Sequence, residues 1–582
     1  MANQDRNQKG AAGKALRYLQ DRGMREFASH AVEKVRDRRF DYQRWIRAQE
    51  LSSTAKGYQK KLVFKRMPDI IVMVLRPEGV AEPDMQTLQS VRRQTYQKTS
   101  LSDILTTQIS DDAFLLCVRN KSLLTEDALF RMAEALAGGA DAVYADEDSY
   151  EQKNRENHYS LPLFKPDYNP DYLRSCNYIG TPFMVRAGLI RSFYKEEGAV
   201  PSAWTLDDPA AYYEYVLRCS QRAQQEGGIV HVPRVLCHVR RAAGVKMPEG
   251  TAVFGSYEGA AGLNDIADVH NRMRSVLEKD LIRNGSSGRV EDGPWKYTFH
   301  VAYDLTERPL VSIVIPNKDS YSVLENCIWS ITNKSTYSDY EIIIVENNST
   351  QKETFDYYRK LEEEGTARIV RYDHPFHFSR VVNEGVRNAR GDYVILMNND
   401  VTVRTADWIE RLLAHCQRQG VGAAGPKLLY PDLRVQSAGI VAGIMGYAGS
   451  MMVLEDGDDP GYMGRGALTQ NMSAVTAACM MVKKDVYQKA GGFADDLPVA
   501  LNDVDFCLKL VRDGYRNVLE PAAVMIHHES LSRGHEDTPE KKKRFNKEKA
   551  VFRKRWAEFL KKGDPAYNPN LSLRRCDWSQ QT

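Results

Sequence analysis

Short apolar strands alternate with helical segments from Val311 to Leu429, and this alternation limits the possible folds more than any other feature of the sequence. The runs VSIVIP, YEIIIVEN, RIVRY and YVILMN lack polar alternation, which is typical of strands covered on both faces. Roughly 12–25 residues with helical patterns separate them, enough for the crossovers between parallel strands. The pattern therefore predicts an α/β fold with a doubly wound, mostly parallel sheet.

The first half of the chain reads as a weaker copy of this pattern. DIIVMVLRPE (69–78) matches VSIVIPNKD, and DDAFLLCVRNK (111–121) matches GDYVILMNND. Two further segments, 181–193 and 213–238, match residues 478–493 and 504–528. The repeat distance of roughly 240–310 residues is far too long for a solenoid, so we predict two tandem α/β domains.

A chain of 582 residues is also too long for one hydrophobic core. We divide it into a basic helical N-terminal extension (1–61), a first α/β domain (62–285), a linker (286–308), a second α/β domain (309–535) and a basic helical C-terminal extension (536–582).

Composition narrows the class of protein. The net charge of +3 is too small to suggest a nucleic-acid partner, and nine cysteines without a CxxC pair indicate reduced thiols instead of zinc ligands or disulfides. The N-terminus lacks the apolar core of a secretory signal. The longest apolar run, Ala438 to Val453, contains four glycines and is shorter than the roughly 18 residues of a spanning helix. We expect a cytoplasmic protein, attached at most to the inner membrane surface, with that run forming a hairpin or loop.

The N-terminal extension is strongly basic, with twelve Lys/Arg against six acidic residues in positions 1–47. A loose apolar stripe follows helical spacing through Leu16, Leu19, Met24, Phe27, Ala31 and Val35. Two interpretations remain open for this segment. It either packs on the main body or presents a basic amphipathic surface to anionic lipid headgroups.

Polar residues follow the predicted strands of the second half where each strand ends. They are Pro316, Asn317, Glu346, Asn347, Asn348, Asn398, Asn399, Asp400, His527 and His528. Open α/β sheets bind ligands at the carboxyl ends of their strands, although ordinary turns use the same residue types. Oxygen ligands together with imidazole suit Mg²⁺ or Mn²⁺. Asn502 and Asp503 open a helical pattern, where Asp503 is either a helix N-cap or a general base.

These motifs resemble, in order and spacing, those of family 2 glycosyltransferases of the GT-A fold. The resemblance covers residues 309–535 and rests on VSIVIPNKDS, IIIVENNST, YVILMNND, GGF…NDVDFCLKL and HHESLS. No single element is specific, but five in order over about 225 residues are. The first half resembles the same family, in its subset with two tandem domains.

The resemblance implies an inverting transfer from a nucleotide sugar. It assigns Asp503 as the catalytic base and Asp400 with His527 as ligands of Mg²⁺ or Mn²⁺, with His528 as the alternative ligand. Asn398 replaces the first acid of the family's DxD motif, and Asn502 replaces the acid before the base. Nucleotide-sugar binding is assigned to Pro316, Asn317, Glu346, Asn348, Asn398 and Asn399. Gln436, Arg465 and Asn502 are candidates for contact with the acceptor.

The first half has lost this chemistry. Arg119, Asn120 and Lys121 stand where the metal-binding residues should end the strand, and two cations would repel a divalent ion. Tyr212 falls at the position of the base. From Leu75 to Ala113 there are 38 residues against 78 between Ile315 and Tyr393, so about 40 residues of the nucleotide pocket are absent. We interpret this half as a degenerate domain, either a scaffold or a binder of the acceptor glycan.

NND in place of the DxD motif, together with HHESLS, resembles the family members that build bacterial surface polysaccharides, rhamnosyltransferases among them, a likeness weaker than that to the reaction class. It implies a dTDP-rhamnose or UDP-hexose donor and a lipid-linked glycan acceptor. A catalytically decayed glycan-binding or assembly subunit is the alternative. A nucleotidyltransferase would need a glycine-rich, basic signature after the first strand, which PNKDSYSV lacks. The sequence leaves the sugar, the linkage and the oligomeric state open.

Overall fold

A computed structural model describes residues 41–63, 67–76, 80–102, 109–154, 156–196, 208–241, 266–529 and 538–581. The apolar stripe predicted for residues 16–35 lies outside the described residues.

The first half forms an eight-stranded sheet in the order β2-β1-β3-β7-β5-β8-β4, with β6 paired to β5. Its strands are β1 Ile70–Leu75, β2 Thr99–Leu101, β3 Phe114–Arg119, β4 Ser122–Leu124, β5 Ala142–Lys153, β6 Glu156–Leu163, β7 Phe183–Arg186 and β8 Ile229–Arg240. Its helices are α1 Tyr42–Arg47, α2 Ser53–Lys61, α3 Met85–Arg92, α4 Ala128–Leu136, α5 Pro170–Ser175, α6 Ala187–Glu196, α7 Pro209–Gln225 and α8 Ile266–Arg283.

A hairpin of β9 Gly288–Asp292 and β10 Phe299–Tyr303 joins the two halves. The second half forms a ten-stranded sheet in the order β13-β12-β11-β14-β21-β16-β22-β15, with β17 and β20 paired to β16 and β22. Its main strands are β11 Val311–Asn317, β12 Tyr340–Glu346, β13 Arg368–Arg371, β14 Tyr393–Met397, β15 Val401–Val403, β16 Val421–Leu429, β17 Val435–Ser437, β20 Gln470–Met472, β21 Cys479–Lys483 and β22 Arg516–His527.

The remaining elements of the second half are helices and one short hairpin. The hairpin is made of β18 Ile440–Ala442 and β19 Ala448–Ser450. The helices are α9 Tyr321–Lys334, α10 Lys352–Glu363, α11 Phe378–Asn388, α12 Trp408–Cys416, α13 Lys484–Lys489, α14 Asn502–Arg512, α15 Pro539–Arg555 and α16 Ala557–Lys562.

The two sheets pair their strands in the same way, which confirms the predicted tandem α/β fold. In each, a central strand (β1 or β11) has parallel neighbours on both sides. An antiparallel strand, β7 or β21, then joins the third strand to a further parallel pair. A short antiparallel strand, β4 or β15, closes the far edge. The repeats predicted from sequence are therefore structural equivalents.

The second sheet is covered on both faces, as its strand sequences predict. Strand β14 is buried along its whole length, with side chains alternating between two apolar clusters. Ile395 packs with Trp408 and Leu412 of α12 on one face, whereas Val394 packs with Val382 of α11 on the other. Helices on both faces leave the ends of the strands as the surface where polar groups converge.

Residues 286–308, expected to be a linker, contain the β9–β10 hairpin. Val290, Phe299 and Val301 of this hairpin are buried in the core of the first half. Their alternate spacing turns one face of the hairpin inward, so the segment packs instead of spanning a gap.

Buried polar contacts join the two halves. Arg418 donates from Nη1 to Asp171 Oδ1 at 2.5 Å, and both side chains are largely inaccessible. Asn169 and Asn471 exchange hydrogen bonds between side chain and backbone at 2.8 and 2.9 Å. Such directional contacts specify one arrangement of the halves, because each buried partner would be costly to leave unsatisfied.

The C-terminal segment also packs against both halves. Trp556 donates from its indole to Asp505 of α14 at 2.9 Å. Further along, Asn568 donates to the Asp146 carboxylate of the first half at 2.9 Å and is almost fully buried. The segment predicted as a basic helical extension thus buries Trp556 and Asn568 in the protein.

The apolar run from 438 to 453 forms the β18–β19 hairpin, as expected. Within the described residues, none of the helices combines the length and apolar character needed to cross a bilayer.

Candidate functional site

Strand pairing brings Asp400 and His527 together at one edge of the second sheet. Strand β14 ends at Met397, the chain turns, and Val401 of β15 pairs with His527 at the end of β22. His527 Nε2 consequently lies 3.0 Å from Asp400 Oδ1, and Asn398 Nδ2 lies 3.4 Å from the same nitrogen. Both residues predicted as metal ligands are therefore neighbours, although 126 residues of chain separate them.

The chemistry of this pair fits a divalent ion. Two ligands that occupy adjacent positions around Mg²⁺ at about 2.1 Å lie roughly 3 Å apart, which matches the separation of Asp400 Oδ1 and His527 Nε2. Carboxylate together with imidazole favours Mn²⁺ over Ca²⁺. Among the described residues, no group of three or more acidic, histidine or cysteine side chains is arranged to hold a metal. A metal bound by this pair would need its other ligands from substrate or water.

Backbone hydrogen bonds connect Asp503 to Asn398, at the same edge of the sheet as this pair. Its Oδ2 accepts a hydrogen bond from the Ala477 N–H at 3.1 Å, and the carbonyl of the following residue, Ala478, accepts from the Asn398 N–H at 3.0 Å. Asp503 occupies the first turn of α14, whose N-cap is Leu501, so the N-cap interpretation of Asp503 is wrong. Burial raises the pKa of the Asp503 carboxyl, and hydrogen bonds from Ala477, Val504 and Thr476 oppose that rise.

The candidate acceptor residues are placed differently from one another. Gln436 lies at the site's edge, where its Nε2 is 3.4 Å from Glu529, the second residue after His527. Arg465 is only 1% exposed and donates to Gln470 Oε1 at 2.8 Å, which places it inside the protein and away from any acceptor surface. Asn502 is also buried and donates to Ser379 Oγ at 3.0 Å. Geometry leaves Gln436 as the candidate that reaches the site.

Glu346 is buried and engaged by its own loop. Its carboxylate accepts from the Ser349 N–H and hydroxyl, both at 2.5 Å, and from the Tyr358 hydroxyl at 2.7 Å. These three donors hold the loop after β12 in one shape. The carboxylate therefore shapes the loop where a nucleotide would lie, instead of pointing freely into it.

A line of amides connects that loop with the Asp400 edge. Asn399 donates to Asn317 Oδ1 at 2.6 Å, and Asn317 donates to the Tyr358 hydroxyl at 2.7 Å. Pro316, half-buried, precedes Asn317 in β11. Asn348 adopts the left-handed region, with φ of 59°, and donates to the His374 carbonyl at 2.7 Å. The predicted nucleotide-binding residues thus form one connected edge.

Three residues that shape the site were not identified from the sequence. Tyr358 joins Glu346 to Asn317 from helix α10, and Asp319 accepts from the Thr350 and Gln351 N–H groups at 2.7 and 2.9 Å. Ala477 holds Asp503 through its backbone. Asp319 lies within the PNKDS motif and was within reach of the sequence. Tyr358 and the Ala477 N–H carry no sequence signal, because only the fold brings them to the site.

The equivalent edge of the first half carries cations. The Arg240 N–H donates to the Lys121 carbonyl at 3.2 Å, just as the His528 N–H donates to the Asp400 carbonyl at 2.9 Å. Lys121 therefore occupies the place of Asp400. The Tyr212 hydroxyl donates to the Gly180 carbonyl at 2.8 Å, on the loop before β7 that corresponds to the Ala477 loop before β21.

The acidic run of the first half is used inside the protein. Asp146 accepts from the Lys165 N–H and from Asn568, and Asp148 accepts from the Tyr42 hydroxyl and contacts His238. The Lys165 ammonium donates to three carbonyl oxygens. These groups already have buried partners.

Residues 312–491 match the family model described as glycosyl transferase family 2. A protein of Sinorhizobium fredii described as "Uncharacterized protein y4gI" is 37% identical over 478 residues, which cover 81% of this chain and 50% of that protein. The "O-antigen biosynthesis protein RfbC" of Myxococcus xanthus is 33% identical over 442 residues, 75% of this chain and 32% of that protein. The chain spans half or less of the length of these relatives.

Among solved structures, a mannosyltransferase from Pyrobaculum calidifontis, in complex with GDP-Man and Mn²⁺, is similar to this chain. The identity is 17%, with 53% of this chain and 77% of that chain covered and a TM-score of 0.33. A likeness at this level carries no argument about activity.

Proposed function

Residues 312–491 match the model of glycosyl transferase family 2, and on that premise we propose that this chain transfers a sugar from a nucleotide sugar to a growing cell-surface polysaccharide. One observation carries the proposal. Asp400 and His527 are in contact at one edge of the second sheet, and hydrogen bonds through Ala477 and Ala478 connect Asp503 to Asn398 of the same edge. The relative described as an O-antigen biosynthesis protein supports the choice of a polysaccharide product.

Asp503 is the proposed general base. The acceptor hydroxyl must lose its proton as its oxygen attacks the anomeric carbon, and a positioned carboxylate accepts that proton. Burial raises the pKa of Asp503, which strengthens the carboxylate as a base. The Ala477 N–H, donating to Oδ2, orients the group and leaves a lone pair for the acceptor. Direct attack with one base would invert the configuration at the anomeric carbon.

Asp400 and His527 are the proposed holders of Mn²⁺ or Mg²⁺. Such an ion, when bound, supplies positive charge that stabilises the departing nucleoside diphosphate. Asn398 and Asn399 precede Asp400, and each side-chain amide has two N–H groups, so beside the Asn399 bond to Asn317 they can donate to phosphate or sugar oxygens. The loop held by Glu346, together with Asn317, Asn348 and Pro316, is the proposed nucleotide side.

For the donor we propose dTDP-rhamnose or a UDP-hexose, and for the acceptor a lipid-linked glycan presented at the inner membrane face. The first half, whose equivalent edge carries Lys121, acts as a scaffold or glycan binder. In this proposal the first α/β domain spans residues 62–285 and the second α/β domain spans residues 309–535.

Calorimetry tests the site directly. Titration of UDP and of dTDP into the protein, with and without Mn²⁺, should show binding that depends on the metal and that is lost in Asp400→Ala. The preferred base then narrows the donor. Lys121→Ala is the matched control, because it changes the equivalent position of the first half. Absence of nucleotide binding under every metal condition would favour a decayed glycan-binding or assembly subunit.

A further inference from the structure

A surface beside the proposed acceptor side combines exposed apolar side chains with a strongly basic helix. We call it the C-terminal patch, made of Met445, Tyr447, Lys542, Phe545, Lys549, Arg553 and Leu573. It lies where α15 meets the β18–β19 hairpin, and the proposed catalytic residues are not part of it.

Helix α15 carries a large net positive charge. Its sequence, PEKKKRFNKEKAVFRKR, has nine Lys/Arg and two glutamates. One glutamate, Glu548, is buried, accepts from the Ala500 N–H at 2.8 Å and pairs with Arg544 at 3.6 Å, so the cation it offsets is not one of the three in the patch. Lys542, Lys549 and Arg553 follow a spacing of seven and four residues, which places them along one flank of the helix.

Apolar side chains lie directly against that flank. Met445 and Leu573 are 48% and 46% exposed, and the Met445 N–H donates to the Leu573 carbonyl at 2.7 Å. Arg553 Nε donates to the Gly446 carbonyl at 2.7 Å. The Lys549 ammonium lies 4.6 Å from the Phe545 ring centre. Cations and exposed apolar groups therefore form one continuous surface.

The same hairpin is tied to the loop that holds Asp503. The Asp564 carboxylate accepts from the Ala442 N–H and from the Ser473 hydroxyl, both at 2.7 Å. Ser473 leads to Ala477, whose N–H binds Asp503. A surface that holds the hairpin would thus lie close to the acceptor side of the site.

We propose that the C-terminal patch docks on an anionic lipid bilayer. The three cations would contact the headgroups, while Met445 and Leu573 enter the interfacial layer. Nucleic acid would satisfy the cations but leave the apolar pair unexplained, which favours the membrane. Membrane binding itself does not depend on the proposed activity. Only the delivery of a lipid-linked acceptor to Asp503 depends on the proposed function.

Sedimentation with vesicles tests the docking, using the full chain without nucleotide or metal. The protein should bind vesicles of 70% phosphatidylcholine and 30% phosphatidylglycerol, and bind pure phosphatidylcholine at least tenfold more weakly. The variant Lys542→Glu/Lys549→Glu/Arg553→Glu should lose at least tenfold in the partition coefficient for the anionic vesicles. Met445→Ser/Leu573→Ser should lose severalfold and keep the dependence on salt.

A matched control reverses three exposed lysines elsewhere: Lys153→Glu/Lys352→Glu/Lys489→Glu. Their side chains are 62%, 83% and 73% exposed, and the change in net charge is the same. This control should retain much more binding than the patch variant. Because Arg553 also binds the Gly446 carbonyl, Lys542→Gln/Lys549→Gln provides a milder test whose folding is checked by thermal unfolding.

Any of three results overturns the proposal. The wild-type protein does not bind the anionic vesicles, or the patch and control variants bind them equally well. In the third, duplex DNA competes fully with the vesicles while the Met445→Ser/Leu573→Ser variant binds them normally. Calorimetry separates this result from the proposed function. The patch variant should bind nucleotide as the wild type does, so vesicle binding and nucleotide binding can each fail alone.

Discussion

Lys121 and Asp400 occupy the same place in two sheets of the same strand order. In each sheet the backbone carbonyl of this residue accepts a hydrogen bond from the end of the last long strand, from Arg240 in one and His528 in the other. The backbone is thus conserved between the halves, while the side chains reverse in charge. An ammonium repels the divalent ion that a carboxylate would bind.

The halves also differ in the segment between their second and third equivalent strands. The second half inserts α10, β13 and α11 between β12 and β14, and Tyr358 and the loop held by Glu346 belong to this region. In the first half, only residues 102–113 separate β2 from β3. The first sheet forms without this region, because the stability of each sheet comes from its apolar strands and their helices.

The largest expected effect concerns the base. Asp503→Asn should lower kcat/KM for sugar transfer by about 10²–10⁴, because the acceptor loses its proton-accepting group. Tyr212→Phe, at the corresponding place in the first half, should leave kcat/KM within about twofold. Nucleotide affinity, measured by calorimetry, should stay unchanged in both. A similar loss in the two variants would mean that the first half takes part in catalysis.

The second-largest expected effect is on the free energy of unfolding, because a buried ion pair between Asp171 and Arg418 joins the two halves. Asp171→Asn leaves Arg418 buried without its anionic partner, and we expect the free energy of unfolding to fall by about 3–5 kcal/mol. Urea denaturation measures this. Asp268→Asn, which breaks an exposed pair with Arg272, should cost less than about 1 kcal/mol. Equal losses of stability in the two variants would show that the Asp171–Arg418 pair stabilises the protein no more than an exposed ion pair does.

A smaller effect is expected in the pH profile. Burial favours the neutral form of Asp503, so its pKa lies above the ordinary 3.8 and the base becomes protonated as pH falls through that raised value. The acid limb of kcat/KM should therefore lie above pH 3.8. Thr476→Val removes a hydrogen bond to the charged form and should shift the limb to still higher pH. If the acid limb stays at the same pH in Thr476→Val, the limb reports the titration of a group other than Asp503.

The smallest effect is a predicted failure to gain function. Lys121→Asp/Val239→His restores an acid and a histidine at the places that Asp400 and His527 occupy. We expect nucleotide binding to remain at one site per chain, since the first half lacks counterparts of α10 and α11 among its described residues. A second metal-dependent site in calorimetry would show that charge alone disabled this half.

Much of the fold was predictable from the sequence. The β-branched runs predicted strands, and the match of DDAFLLCVRNK with GDYVILMNND correctly paired β3 with β14. The antiparallel strand within each sheet was not predicted, since an apolar run such as CMMVK reads alike in either direction. The sequence predicts a linker where the hairpin at 288–303 packs, because Gly and Ser neighbours dominate the local pattern.

The candidate site divides in the same way. Motif order predicts Asp400, His527 and Asp503 as site residues, and the contact between Asp400 and His527 follows from strand ends meeting at one edge. Arg465 was misplaced because a loop arginine normally faces water, whereas here it is enclosed between the two halves and the C-terminal segment. Burial of that kind depends on contacts across the whole chain, which local patterns do not carry.

The sequence by itself determined the class of fold, its duplication, and which half retained acid and histidine side chains. Periodicity and residue type encode these properties locally. Only the tertiary structure decided that Ala477 binds Asp503, that Tyr358 binds Glu346, and that Met445 contacts Arg553 of the basic helix. Each of these contacts joins residues at least 12 positions apart, and the contacts form only when strand register and helix packing are complete.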